Sequence, residues 1–67
     1  MRIGFIGCGN MATAMIKGIL DSGKVTAEQM IASAKSDQTR EKISSKLGIA
    51  AAKTNVEVVE FADMVFL

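Results

Sequence analysis

Ile3-Gly4-Phe5-Ile6-Gly7-Cys8-Gly9-Asn10-Met11-Ala12 is the stretch that decides the fold. Arg2–Ile6, uncharged after Arg2, reads as a strand, with Ile3 and Phe5 on one face and Gly4 and Ile6 on the other. Lack of charge on both faces marks a parallel strand covered by helices on both sides. The run enters G-x-G-x-x-A at Gly7–Ala12, and a helical pattern opens at Asn10. Strand, glycine turn and helix in that order are the context the dinucleotide-binding fingerprint requires. Gly7 permits the tight turn, Gly9 has no side chain to block a pyrophosphate, and Ala12 lets helix and strand approach closely. The first N–H groups of the helix and its partial positive charge suit phosphate. The competing reading is a tight strand-to-helix turn with no ligand.

Working outward, the helix is predicted over 10–22. Met11, Met15, Gly18 and Ile19 form one apolar stripe and Ala12, Ile16 and Leu20 a neighbouring one, while Lys17 and Asp21 face solvent. Gly18 costs roughly 1 kcal/mol against alanine inside a helix, and close helix–sheet contact would explain it. Gly23 suits the left-handed stop. Met30–Ala34 is a second buried strand, and Ser36 or Asp37 caps a helix reaching about Leu47, with Ile43 and Leu47 inward and Gly48 as its stop. Ile49–Ala51 is a weak third strand. Thr54-Asn55-Val56-Glu57 has the T-x-x-E capping-box spacing. Val58, Val59 and Ala62 fill a short third helix, and Met64–Leu67 is a fourth strand. The five methionines are expected to be core filler.

The class is therefore α/β: a partial Rossmann-type, doubly wound parallel sheet, β-α-β-α-β-α-β, in the order 3-2-1-4. The chain ends inside the fourth strand, whose outer edge would be bare, so it is expected to be truncated. At 67 residues it buries only about 60% of its unfolded surface, and alone it is expected to fold poorly.

Composition narrows the function classes. Hydrophobic residues make up 49%, with six glycines and no proline, which excludes a disordered tail. One cysteine and no histidine leave neither an internal disulfide nor an ordinary zinc site. A net charge of +1 points to neither nucleic acid nor an anionic membrane. No targeting or membrane-spanning segment is visible, so a cytoplasmic protein is expected.

The end of the second strand selects the cofactor. NAD binders usually carry Asp or Glu there, whereas this segment reads Ser33-Ala34-Lys35-Ser36, with Arg40 one turn later. Lys35, Ser36 and Arg40 suit a 2′-phosphate, which favours NADPH over NADH. Asp37 lies close to the usual acidic position, and it is also a natural helix cap. Lys35 and Arg40 also read as ordinary solvated residues. Asn55, opening the third helix, is either a ribose or phosphate contact or a first-turn capping residue. Cys8 sits where a helix N-terminus would lower a thiol pKa. It is read as a small residue at the variable motif position rather than a redox switch.

Met1–Ala12, Met15–Gly18, Asn55–Val59 and Ala62–Leu67 together resemble the N-terminus of pyrroline-5-carboxylate reductases. The resemblance spans all 67 residues and about the first quarter of such an enzyme. It implies NAD(P)H-dependent reduction of a cyclic imine, 1-pyrroline-5-carboxylate, to L-proline in proline biosynthesis. It implies that Ile6, Gly7, Cys8, Gly9, Asn10 and Met11 form the phosphate loop. Ala34, Lys35, Ser36 and Asn55 would then bind the adenosine ribose or its 2′-phosphate. It also implies a helical C-terminal domain that forms a homo-oligomer and builds the substrate site beyond Leu67. No catalytic residue falls within this stretch. Two alternatives stay open: another NADP-dependent dehydrogenase or imine reductase, such as a β-hydroxyacid dehydrogenase, and a non-catalytic nucleotide-binding module.

Overall fold

The computed structural model describes residues 1–7 and 9–66, of Asn10 the backbone only. Four short strands, β1 (Ile3–Phe5), β2 (Met30–Ser33), β3 (Ala50–Ala52) and β4 (Met64–Phe66), form one sheet in the order β3-β2-β1-β4. All three pairings are parallel, with Gly4 opposite both Ile31 and Val65, and Ile31 opposite Ala50. The expected topology is thus the observed one. The helices are α1 (Asn10–Ser22), α2 (Asp37–Lys42) and α3 (Asn55–Phe61).

Right-handed crossovers decide which face each helix covers. Stepping from β1 to β2 to β3 puts α1 and α2 on one face, and returning from β3 to β4 puts α3 on the other. The core divides accordingly. Ile3, Phe5, Met30 and Ala32 of the sheet meet Ile16 of α1 and Ile43 and Leu47 beyond α2. On the opposite face Ile31 and Ala52 meet Val58 of α3, with Ile6, Phe61 and Val65 at the margin. Ile16 and Val58 have no exposed surface, and each burial contributes about 2 kcal/mol. Phe5 and Phe66, paired across β1 and β4, stack with centroids 5.3 Å apart.

The start of β4 is tied to the start of β1. The Asp63 and Met64 N–H groups donate to the Arg2 carbonyl at 2.8 and 3.2 Å. In return the Arg2 N–H donates to the Asp63 carboxylate at 3.0 Å. The Arg2 guanidinium lies 5.3 Å from the Phe61 ring centroid, which fixes the end of α3 against the same corner.

Several local expectations are corrected. On α1 the sheet takes the Ala12–Ile16–Leu20 stripe, and Met11 is 82% exposed. Of the methionines only Met30 is buried; Met1, Met15 and Met64 are exposed as well. A Cβ on Gly18 would meet nothing within 4 Å among the described residues, so no close contact accounts for it. The close glycine is Gly4, where a Cβ would stand 2.5 Å from Val58 Cγ1 and 2.9 Å from the Ala62 Cβ. That clearance lets α3 lie directly on β1.

The second helix is α-helical only to Lys42 and continues as a π-helical turn over Ile43–Leu47. There the Ser45 hydroxyl donates to the Glu41 carbonyl at 2.8 Å, competing with the backbone ladder. A short 3₁₀ turn, Ala27–Gln29, precedes β2, with the Gln29 carboxamide accepting from the Thr26 N–H at 3.0 Å. β3 lies one residue later than expected. Val59 is exposed, and Ala62 stands at the C-cap, outside α3. Leu67, expected in β4, lies outside the described residues. Gly23 and Gly48 end their helices in the left-handed conformation, as expected.

Candidate functional site

In a parallel α/β sheet the loops leaving the carboxyl ends of the strands converge where the strand order reverses. Here that place is the end of β1, with β2 on one side and β4 on the other. A cavity of about 310 Å³ opens there. The loop after β1 contributes Ile6 and Gly7, the end of β2 contributes Ser33, Ala34 and Lys35, and the entry to α3 contributes Lys53, Thr54 and Asn55.

Gly7 has φ +83°, a conformation costing roughly 1–2 kcal/mol for a residue with a Cβ. It turns the chain from β1 into α1. Gly9 is the N-cap of α1, with an extended backbone and no side chain to cap the first turn. A Cβ there would meet nothing within 4 Å among the described residues. The first turn of α1 carries no acidic residue. Among the described residues this helix of 13 residues has no side-chain cap at its start, an arrangement that suits an anion. Cys8 lies outside the described residues, as does the side chain of Asn10. Met11 is in the first turn of α1 and exposed.

Three loops are joined by one hydroxyl. Ser33, only 3% exposed, accepts a hydrogen bond from the Gly7 N–H at 3.1 Å. It donates to Asn55 Oδ1 at 2.8 Å. A serine hydroxyl has one proton to give and lone pairs to receive, so both directions are satisfied. Asn55 is thus not the cap of α3. That role belongs to Thr54, whose hydroxyl accepts from the Glu57 N–H at 3.3 Å. The Glu57 carboxylate reaches back to the Lys53 N–H at 3.0 Å, one residue earlier than the expected reciprocal bond.

The residues expected at the ribose divide. Ala34, Lys35 and Asn55 line the cavity, while Ser36 and Arg40 are engaged beside it. Ser36 caps α2 by accepting from the Thr39 N–H at 3.5 Å. Arg40 Nη1 donates to the carbonyls of Ala34 at 2.7 Å and Lys35 at 3.0 Å, and Nη2 pairs with Asp37. The guanidinium therefore braces the β2–α2 loop from behind. Asp37 opens α2 as its first residue and is held by Arg40 rather than turned to the cavity. Sequence reasoning missed Ser33 and Lys53. For Lys53 the signal was available: it directly precedes the capping box, at the mouth of the same strand edge.

Among the described residues the cavity is lined by Ile6, Gly7, Ser33, Ala34, Lys35, Lys53, Thr54 and Asn55, two of them cationic and none of them acidic. Such a lining, beside an uncapped helix start, accommodates a ligand carrying phosphates and a ribose. Among the described residues no cluster of Cys, Asp and Glu could hold a metal, and no helix is long and apolar enough to cross a membrane.

The sheet order and the glycine turn after β1 define part of a Rossmann-type domain. Residues 2–67 match the family described as NADP oxidoreductase, coenzyme F420-dependent, and the chain belongs to it. Within that setting it is homologous to the N-terminal NADP-binding region of pyrroline-5-carboxylate reductases. It is 38% identical over 65 residues to the pyrroline-5-carboxylate reductase of Escherichia coli (strain K12), covering 97% of this chain and 24% of that one. Identity to the Pseudomonas aeruginosa reductase is 42% over 66 residues, 98% of this chain and 24% of that one. Identity to Bos taurus pyrroline-5-carboxylate reductase 3 is 38% over 65 residues, 97% and 21%. The chain thus spans about a quarter of the length of the curated relatives it matches.

Proposed function

We propose that residues 1–67 are the N-terminal part of the cofactor domain of a pyrroline-5-carboxylate reductase, working with NADPH. The kinship to such reductases over nearly the whole chain supports the substrate. The observation that carries the cofactor is the cavity lined by Lys35 and Lys53 with no carboxylate among its described residues. Two cations favour a 2′-phosphate, and Asp37, the one acid near the β2 tip, is paired with Arg40.

In this reading the bare start of α1 and the Gly7 turn receive the pyrophosphate. Asn55 donates to the adenosine ribose, and Lys35 and Lys53 meet the 2′-phosphate. When bound, NADPH supplies the hydride for reduction of the cyclic imine. The residues described here bind and orient the cofactor, and orientation alone supplies much of what a hydride transfer needs. The imine is held by a helical C-terminal domain, which also joins the protein into a homo-oligomer, and the protein is cytoplasmic.

The test is an NADPH-oxidation assay of the full-length protein with 1-pyrroline-5-carboxylate, with proline measured as product. Proline formed in step with NADPH loss, and a KM for NADPH lower than for NADH, is the expected result. Oxidation of a β-hydroxyacid without imine reduction would move the protein to the dehydrogenase branch. Tight cofactor binding with no turnover would make it a nucleotide-binding module. A lower KM for NADH would remove the role given to the two lysines.

A further inference from the structure

Among the described residues Ser33 is the one buried polar residue of the core. It lies on the α3 face of β2, where Ile31 is its neighbour two residues back. An apolar residue would be the ordinary choice at such a position. Its hydroxyl connects two segments 26 and 22 residues away in sequence. On one side is the N–H of Gly7, at the turn with positive φ. On the other is the Oδ1 of Asn55.

The direction of the second bond has a consequence. Because the Ser33 proton goes to Oδ1, the Asn55 carboxamide is locked with its oxygen toward the sheet. Its Nδ2, with two N–H donors, has no partner among the described residues, and Asn55 lines the cavity.

We propose that Ser33 is a positioning residue for the cofactor. It orients the Asn55 amide donors toward a ribose hydroxyl or phosphate oxygen and holds the Gly7 turn at the pyrophosphate end. One hydroxyl thereby sets the spacing between the two ends of the adenosine diphosphate moiety. The assignment rests on the NADPH reading above.

The experiment uses the full-length protein and fluorescence titration with NADPH, beside kcat, KM and Tm, for Ser33→Ala, Ser33→Thr, Asn55→Ala, Asn55→Asp and the Ser33→Ala/Asn55→Ala pair. A lost hydrogen bond of this kind corresponds to about tenfold in affinity. Ser33→Ala is expected to raise the Kd and KM for NADPH about tenfold, with kcat at saturating NADPH unchanged. Ser33→Thr, which keeps the hydroxyl, restores binding. The double variant loses less than the product of the two single losses, because the Ser33–Asn55 arm is shared while the Gly7 arm belongs to Ser33 alone.

Asn55→Asp keeps an acceptor for Ser33 but has no donors, so it loses affinity without losing Tm. That variant decides the matter if Ser33→Ala does not fold. Wild-type affinity in Ser33→Ala or Asn55→Asp overturns the proposal. So does a double-variant loss equal to the product of the single losses, or a fall in kcat with KM unchanged. Failure of the wild type to bind either NADPH or NADH overturns the cofactor reading itself, and that arm is read before any variant.

Discussion

Helices α1 and α3 both begin at the carboxyl edge of the sheet, and they treat their free N–H groups in opposite ways. At α3 the end is closed: Thr54 accepts from the Glu57 N–H, and the Glu57 carboxylate accepts from the Lys53 N–H. At α1 the N-cap is Gly9, which has no side chain to offer, and among the described residues nothing lies within 4 Å of where its Cβ would stand. Four unsatisfied N–H groups are the default at any helix start. The chain caps α2 with Ser36 and α3 with Thr54 and places a glycine at the N-cap of α1. The difference teaches that α3 and its entry present side chains, Lys53 and Asn55 among them, to the cavity, while an N-terminus without a side-chain cap is found at α1.

The comparison holds only while α3 lies where it does, and Gly4 sets that. The largest expected effect is therefore Gly4→Val. Its Cβ alone would overlap Val58 Cγ1 and the Ala62 Cβ, and the second of these cannot rotate away. Overpacking of this kind costs about 3 kcal/mol. The urea midpoint of the full-length protein should fall accordingly. NADPH affinity should fall with it, since α3 carries Asn55 away from Ser33. An unchanged midpoint would mean that α3 can be seated elsewhere, and the two helix starts would no longer belong to one site.

The next effect separates closure from binding. Thr54→Ala removes the cap of α3 and should cost about 1 kcal/mol of stability. Binding of NADPH should change little, because the Ser33–Asn55 bond is independent of the Thr54 hydroxyl. Equal losses of stability and affinity would show that the Thr54 hydroxyl itself touches the ligand.

What was legible in the sequence follows from locality. The strand order came from the alternation of apolar runs with helical patterns and from Gly7, Gly23 and Gly48, each of which acts within a few residues. The bare start of α1 was legible for the same reason. Three features were not. Gly4 looks like any small residue in a strand until α3 is known to cross the opposite face. Ser33 looks like an ordinary strand-end serine until its partners, 26 and 22 residues away, are brought beside it. On α1 two apolar stripes lie side by side, and only the sheet decides that Ile16 goes in while Met11 and Met15 stay out. Arg40 was read from its chemistry rather than from pattern. A guanidinium suits phosphate, but here two carbonyls and Asp37 are within its reach from the same turn.

The smallest effect on stability is the most informative about function. Gly9→Ser would give α1 the cap that α2 and α3 already have. Gly9 has φ −103° and ψ −168°, an extended conformation open to serine, and a Cβ there meets nothing among the described residues. Serine exceeds glycine as an N-cap by only a few tenths of a kcal/mol, so the urea midpoint should stay level or rise slightly. The same hydroxyl would engage first-turn N–H groups that the pyrophosphate needs, and the side chain would occupy its approach. Affinity for NADPH should then fall at least about tenfold, the worth of one charge-assisted hydrogen bond. Stability and binding moving in opposite directions at one residue would show that the glycine is there for the ligand and not for the fold. A variant that binds NADPH as the wild type does would place the phosphates away from α1, and the contrast between the two helix starts would be one of capping alone.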